Sequence, residues 1–149
     1  MKGYTVPFII DGKELYAKQS FDVVSPASGE VVHHVGIATE EEVTAAVESA
    51  AAAGRQWRNT TPAARRDILL MAAEIMEARR GELAQYMVDE VAANLHWANF
   101  NLDVTIDMLK DTAGHISSLA GSVPALADPT CSSIILREPY GVVLAIAPW

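Results

Sequence analysis

The sequence holds one cysteine, Cys131, among its 149 residues. No internal disulfide can form, and the expected location is a reducing compartment, the cytoplasm. Positive charge is scarce as well: 11 Lys and Arg stand against 19 Asp and Glu, a formal net charge of −8. With no basic cluster to offset it, this balance argues against nucleic acid or an anionic membrane surface as a partner. A membrane-spanning helix needs about 20 apolar residues, and no run approaches that length. The opening Met1-Lys2-Gly3-Tyr4-Thr5-Val6-Pro7 has one cation but no apolar stretch long enough for a signal peptide. Also missing are G-x-G-x-x-G, the P-loop, G-x-S-x-G and C-x-x-C, so no general motif assigns a chemistry.

What is present is a chain half apolar in composition, enough for one domain with a core. Its first part reads as two hairpins. Phe8-Ile9-Ile10-Asp11-Gly12-Lys13-Glu14-Leu15 sets an Asp-Gly turn between apolar stretches. Residues 21–24 and 31–35 read as strands around Ser25-Pro26-Ala27-Ser28-Gly29, a cluster of turn formers.

At Thr39 the period changes. Thr39-Glu40-Glu41-Glu42 fits a capping box, in which hydroxyl and carboxylate each satisfy a free backbone donor. Val43, Ala46, Val47, Ala50, Gly54 and Trp57 then recur at helical spacing, a small-residue face suited to close packing. Thr61-Pro62 starts a second helix, with Ile68, Leu69, Ala72, Ile75 and Met76 as its expected buried stripe. Gly81 interrupts the pattern before Leu83, Tyr86, Met87 and Val91 resume it. A fourth helix is expected from Trp97 to about Leu119, with Leu102, Ile106, Leu109, Ala113 and Ile116 on one side.

After a loop at 122–130, strand character returns at 132–137, and Glu138-Pro139 breaks it. The last nine residues, Gly141-Val142-Val143-Leu144-Ala145-Ile146-Ala147-Pro148-Trp149, form a continuous apolar run. A strand buried on both faces of a parallel sheet reads this way. No second strand of that kind follows, so the chain is expected to be the front part of a larger α/β enzyme, and its fold class an incomplete α/β domain.

Several residues could carry chemistry. Cys131 has no cation, histidine base or helix N-terminus near it in sequence, and a structural role is the simpler reading. His33 and His34 are adjacent on a strand and point to opposite faces, so they cannot chelate one ion together. His96 and His115 show no carboxylate or cysteine at ligand spacing. Asp103, Asp107 and Asp111 read as a hydrated stripe relieved by Lys110. Arg65-Arg66 and Arg79-Arg80 are expected to pair in solvent with Glu74, Glu77 and Glu82 rather than to hold phosphate. No metal site is expected.

The stretch Arg137-Glu138-Pro139-Tyr140 followed by the terminal run closely resembles the segment that leads into the cofactor site of the NAD(P)-dependent aldehyde dehydrogenases. Ile9-Ile10-Asp11-Gly12, Ser25-Pro26-Ala27-Ser28-Gly29-Glu30, the Ala-rich helix ending in Trp57, and Thr61-Pro62-Ala63-Ala64-Arg65-Arg66 agree with it in order. The resemblance covers nearly the whole chain. His96-Trp97-Ala98-Asn99-Phe100-Asn101 looks most like the branch that oxidises aromatic aldehydes such as salicylaldehyde or vanillin. One departure lies in Val88-Asp89-Glu90-Val91-Ala92-Ala93-Asn94, where the family usually places an acidic residue, then Thr or Met, then Gly.

The resemblance implies that residues 1–149 are the N-terminal part of a cofactor-binding domain. Within it, 131–139 resembles the oligomerisation arm and 141–149 the first strand of the nucleotide fold, with Ile146, Ala147, Pro148 and Trp149 lining the pocket for NAD or NADP. It further implies a small-molecule aldehyde substrate and a homo-oligomer when complete. The family's catalytic asparagine, glutamate and cysteine would lie beyond Trp149. The chain alone is therefore expected to be inactive and poorly packed. The alternative is a non-enzymatic interaction protein that adds residues 132–138 as a strand to a full-length homologue.

Overall fold

The computed structural model describes residues 3–147. Five short strands come first: β1 (Tyr4–Val6), β2 (Phe8–Ile10), β3 (Lys13–Leu15), β4 (Ser20–Val24) and β5 (Val31–Gly36). The Asp11-Gly12 turn forms as the sequence predicts. Both residues take positive φ, 54° and 69°, the mirror-image turn whose twist matches that of antiparallel β2 and β3. The second hairpin, β4 with β5, closes through Gly29 N–H to Ser25 O at 2.8 Å and Ser25 N–H to Glu30 O at 2.9 Å.

One pairing has no local signal. β1 lies parallel to β5, Tyr4 opposite His33 and Val6 opposite Val35, giving the sheet order β1-β5-β4. The middle strand is thereby enclosed, and Val32 and His33 are fully buried.

Four helices follow: α1 (Glu40–Trp57), α2 (Pro62–Ala78), α3 (Arg80–Val91) and α4 (Leu95–His115), the last continued by a 3-10 turn at Ile116–Ser118. Their starts are fixed by side-chain caps, each satisfying a donor that the first helical turn leaves free. Thr39 and Glu42 complete the capping box, with Thr39 N–H to Glu42 Oε2 at 2.8 Å and Glu42 N–H to Thr39 Oγ1 at 3.3 Å. Thr61 Oγ1 accepts from Ala64 N–H at 3.2 Å, and Asn94 Oδ1 from Trp97 N–H at 2.8 Å. The Asn94 cap starts α4 at Leu95, before the expected Trp97.

α4 buries the stripe its spacing predicts, with Leu102, Ile106 and Ala113 inside and Leu109 and Ile116 half-buried. Ala84, Ala98 and Leu102 form the core between α3 and α4, flanked by Met76, Leu83 and Met87. Small residues at this contact let the helix backbones approach closely.

Two expected faces differ. On α2 the buried residue is Ala73, while Ile68 and Ile75 stay half exposed, because α4 meets the side centred on Leu69, Ala73 and Met76. α1 buries no residue, and its small-residue face stands open. The expected strand at 132–137 is reduced to a single antiparallel bridge, Ser122 with Ile135, closed by two hydrogen bonds of 3.0 and 2.8 Å. The expected buried strand at 141–149 is absent over its described part. Residues 141–147 pair with no strand, and Leu144 is 83 % exposed. A two-sided strand becomes buried only when neighbours supply its ladder and cover its faces, and no described segment lies in place to do either.

Candidate functional site

Cofactor-lining residues are expected at the C-terminal edge. Ile146 is 81 % exposed and Ala147 is exposed beside it. Pro148 and Trp149 lie outside the described residues. Just upstream the chain turns at Gly141, whose φ of 97° a residue with a Cβ rarely adopts. This brings Val142 and Val143 over the open face of α1, where they border an open depression of about 680 Å3 with Ala50, Ala53, Gly54 and Trp57. The small side chains of α1 thus border the terminal segment without packing against it: Val142 and Val143 stay exposed, and the close packing expected of this face is not reached. Ile146 and Ala147 are not among the residues lining that depression.

The described part of the edge can be tested against a dinucleotide. Exposed Leu144, Ile146 and Ala147 offer an apolar, uncharged surface with free backbone groups. Such a surface fits the neutral ring and ribose portions. It carries no cation or helix N-terminus for a pyrophosphate, which needs donors of that kind.

The other candidates fall elsewhere. Cys131 is exposed, and its sulfur lies 3.6 Å from Asp128 Oδ2, an acceptor for the S–H. Asp128 in turn accepts from the Thr130 hydroxyl at 2.7 Å and the Thr130 N–H at 2.8 Å, which hold its carboxyl below the usual range. Among the described residues neither a histidine nor a cation is bonded to Cys131, in line with its surroundings in the sequence.

His33 and His34 do point to opposite sides. His34 Nδ1 meets Asp22 Oδ1 at 2.8 Å near the surface. His33 sits in an aromatic enclosure, its ring centroid 4.4 Å from that of Tyr4 and 5.7 Å from that of Tyr86. Its Nε2 is 3.4 Å from Glu90 Oε1, within ion-pair range, yet neither ring nitrogen has a hydrogen bond of good geometry. One expectation is corrected at His115, whose Nε2 lies 3.6 Å from the Asp111 carboxylate one turn earlier. Among the described residues no three His, Cys, Asp or Glu groups could hold a metal ion.

The arginine pairs divide. Arg79 binds Glu82 through two bonds of 2.8 Å, and Arg80 binds Glu77 at 2.9 and 2.6 Å, both as expected. Arg80 also reaches Asp103 at 2.7 Å, so this aspartate ties α4 to α3 instead of standing in a hydrated stripe. Arg79 above all, with the Tyr86 hydroxyl, brings the Glu82 carboxyl down to about 2. Tyr4 and then Glu82 push Tyr86 up to about 12. Arg65 and Arg66 do not pair with Glu74, Glu77 or Glu82: Arg65 Nη1 donates to Thr60 O at 2.9 Å, and Arg66 to Asp67 at 3.0 and 2.8 Å. Sequence reasoning missed the grouping of Tyr4, His33, Tyr86 and Glu90, since the parallel pairing that assembles it leaves no local trace.

No helix of the described residues is long and apolar enough to cross a membrane. The arrangement is that of the N-terminal part of a mixed α/β dehydrogenase. A solved salicylaldehyde dehydrogenase from Pseudomonas putida G7, complexed with salicylaldehyde, superposes with a TM-score of 0.83 at 27% identity, over 91% of this chain and 28% of that one. An NAD-dependent aldehyde dehydrogenase from Sinorhizobium meliloti does so at 0.84 and 28% identity, over the same shares. The vanillin dehydrogenase of Pseudomonas fluorescens is 37% identical over 146 residues, covering 97% of this chain and 30% of that protein.

Residues 14–149 match the model of the aldehyde dehydrogenase family, and the chain belongs to that family. It spans about 30% of the length of the curated relatives it matches.

Proposed function

We propose that this chain is the N-terminal, cofactor-side part of an oxidoreductase that converts an aldehyde to its carboxylic acid, with NAD or NADP as hydride acceptor. The observation that carries this reading is the family match across residues 14–149, which runs through the terminal segment. An aromatic aldehyde of the vanillin or salicylaldehyde type is the proposed substrate, supported by the 37% identity to a vanillin dehydrogenase and the fold shared with a salicylaldehyde dehydrogenase.

The nicotinamide cofactor, when bound, supplies the acceptor for the substrate's hydride. This chain's part is to bind and to exclude water. Residues 141–149 would add to a parallel sheet as the first strand of the nucleotide fold, and α1 would cover one of its faces. Ile146, Ala147, Pro148 and Trp149 would then wall the neutral end of the dinucleotide at the carboxyl edge of that strand. Residues 131–139 would serve as an arm in a homo-oligomer, a role supported by the exposure of Ile134 and Leu136.

A polypeptide limited to residues 1–149 is proposed to be inert, since Cys131, its one thiol, stands beside a carboxylate with no histidine or cation to stabilise a thiolate. The exposed Ile134 and Leu136 equally support a second reading, in which residues 132–138 pair as a strand with a complete homologue. Aldehyde-dependent reduction of NAD+ by the native protein, with acid formed in equal amount, tests the first reading. Co-purification of a full-length dehydrogenase without any turnover would favour the second.

A further inference from the structure

A cavity of about 690 Å3 lies where the end of α1, the start of α2 and residues 136–140 converge. Its volume falls in the range of small-molecule sites, roughly 300–1,000 Å3. Arg58, Arg65 and Arg137 line it together with Glu138, three of the seven arginines in a chain of net charge −8 beside a single carboxylate. Glu138 offsets one of these charges, and the remaining cationic excess favours a bound anion.

The three guanidiniums differ in what they have free. Arg65 is anchored by its bond to Thr60 O. Arg58 has only a loose contact, 4.0 Å to Glu138 Oε1. Arg137 has no carboxylate within ion-pair distance among the described residues. Each guanidinium carries five N–H donors in a fork that matches a carboxylate in bidentate fashion. Half-exposed Trp57 lines the same cavity, with fully exposed Tyr140 at its rim, and an indole there favours an aromatic body over a bare inorganic anion.

We propose that this cavity binds a small aromatic carboxylate, its anionic end held by Arg58 and Arg137 and its ring against Trp57. Ile146 and Ala147 are not among the residues lining it. Its ligand class coincides with the product of the proposed oxidation, and that link alone rests on the dehydrogenase reading. Binding and turnover are measured separately, so either can fail without the other.

The test is isothermal titration calorimetry of the native protein with benzoate and with inorganic phosphate. Benzoate is expected to bind, and Arg137→Gln or Arg58→Gln to weaken it by roughly tenfold, as loss of a charged hydrogen bond does. Glu138→Gln, which removes a competing carboxylate, is expected to tighten it, and Trp57→Leu to weaken it while leaving phosphate unaffected. Absence of benzoate binding would overturn the proposal, as would binding that neither arginine variant changes. Phosphate displacing benzoate at equal concentration would also overturn it, by reducing the site to a cationic patch.

Discussion

His33 Nε2 lies 3.4 Å from Glu90 Oε1, joining the enclosed strand β5 to the last turn of α3. The histidine is fully buried between Tyr4 and Tyr86, whereas the Glu90 side chain is 40 % exposed. Packing should therefore outweigh the ion pair. His33→Ala is expected to cost about 2–4 kcal/mol through the cavity it leaves, and Glu90→Gln less than about 1 kcal/mol, as for exposed pairs. Urea unfolding of the two variants checks this. Equal losses would show that the charge contact holds sheet to helix.

Ala92 ends α3 in the left-handed conformation, φ 54° and ψ 30°. A Cβ there costs about 1–2 kcal/mol relative to glycine. It lies within the stretch Val88 to Asn94, where the family resemblance leads one to expect a glycine. Ala92→Gly is expected to raise stability by about 1 kcal/mol, read as a higher urea midpoint with unchanged slope.

Acid should loosen the helical layer. In the folded chain Glu82 titrates at about 2, below its ordinary 4.5, because Arg79 binds the carboxylate, and Arg80 lowers Glu77 in the same way. A depressed folded pKa contributes stability that is present above about 4.5 and lost as pH falls from there towards 2. Melting temperature should drop across that window, and Glu82→Gln should flatten the drop. An equally steep fall in the variant would place the acid sensitivity elsewhere.

The capping box at Thr39 is the main device fixing the start of α1, a helix with no buried residue to hold it. Thr39→Ala is expected to cost about 0.5–2 kcal/mol. Amide hydrogen exchange should show the loss as faster exchange confined to the first turns of α1.

Local rules made much of this fold legible. Asp11-Gly12 marked its hairpin, Thr39 and Thr61 marked two helix starts, and the spacing of Leu102, Ile106 and Ala113 marked the core face of α4. Pairing between distant segments was not legible, because nothing near Tyr4 in sequence announces His33 as its neighbour. The choice of Ala73 over Ile68 and Ile75 on α2 follows from where α4 docks, which helical period alone does not specify. The terminal run shows the converse. Its residues read as a buried strand because their character suits a sheet, whereas burial depends on neighbours that residues 3–147 do not provide. The candidate cofactor residues were named through resemblance to a family, and no spacing or charge pattern within the chain singles out Ile146 or Ala147.

The most direct test compares the native protein with an Ile146→Asp variant in aldehyde-dependent reduction of NAD+. If residues 146–149 wall the cofactor, the added carboxylate should raise KM for NAD+ by roughly tenfold or more, in line with a buried charge opposing binding. KM for the aldehyde should stay unchanged. An unaltered KM for NAD+ in a fully active variant would contradict the assignment of this chain's terminal segment to the cofactor site.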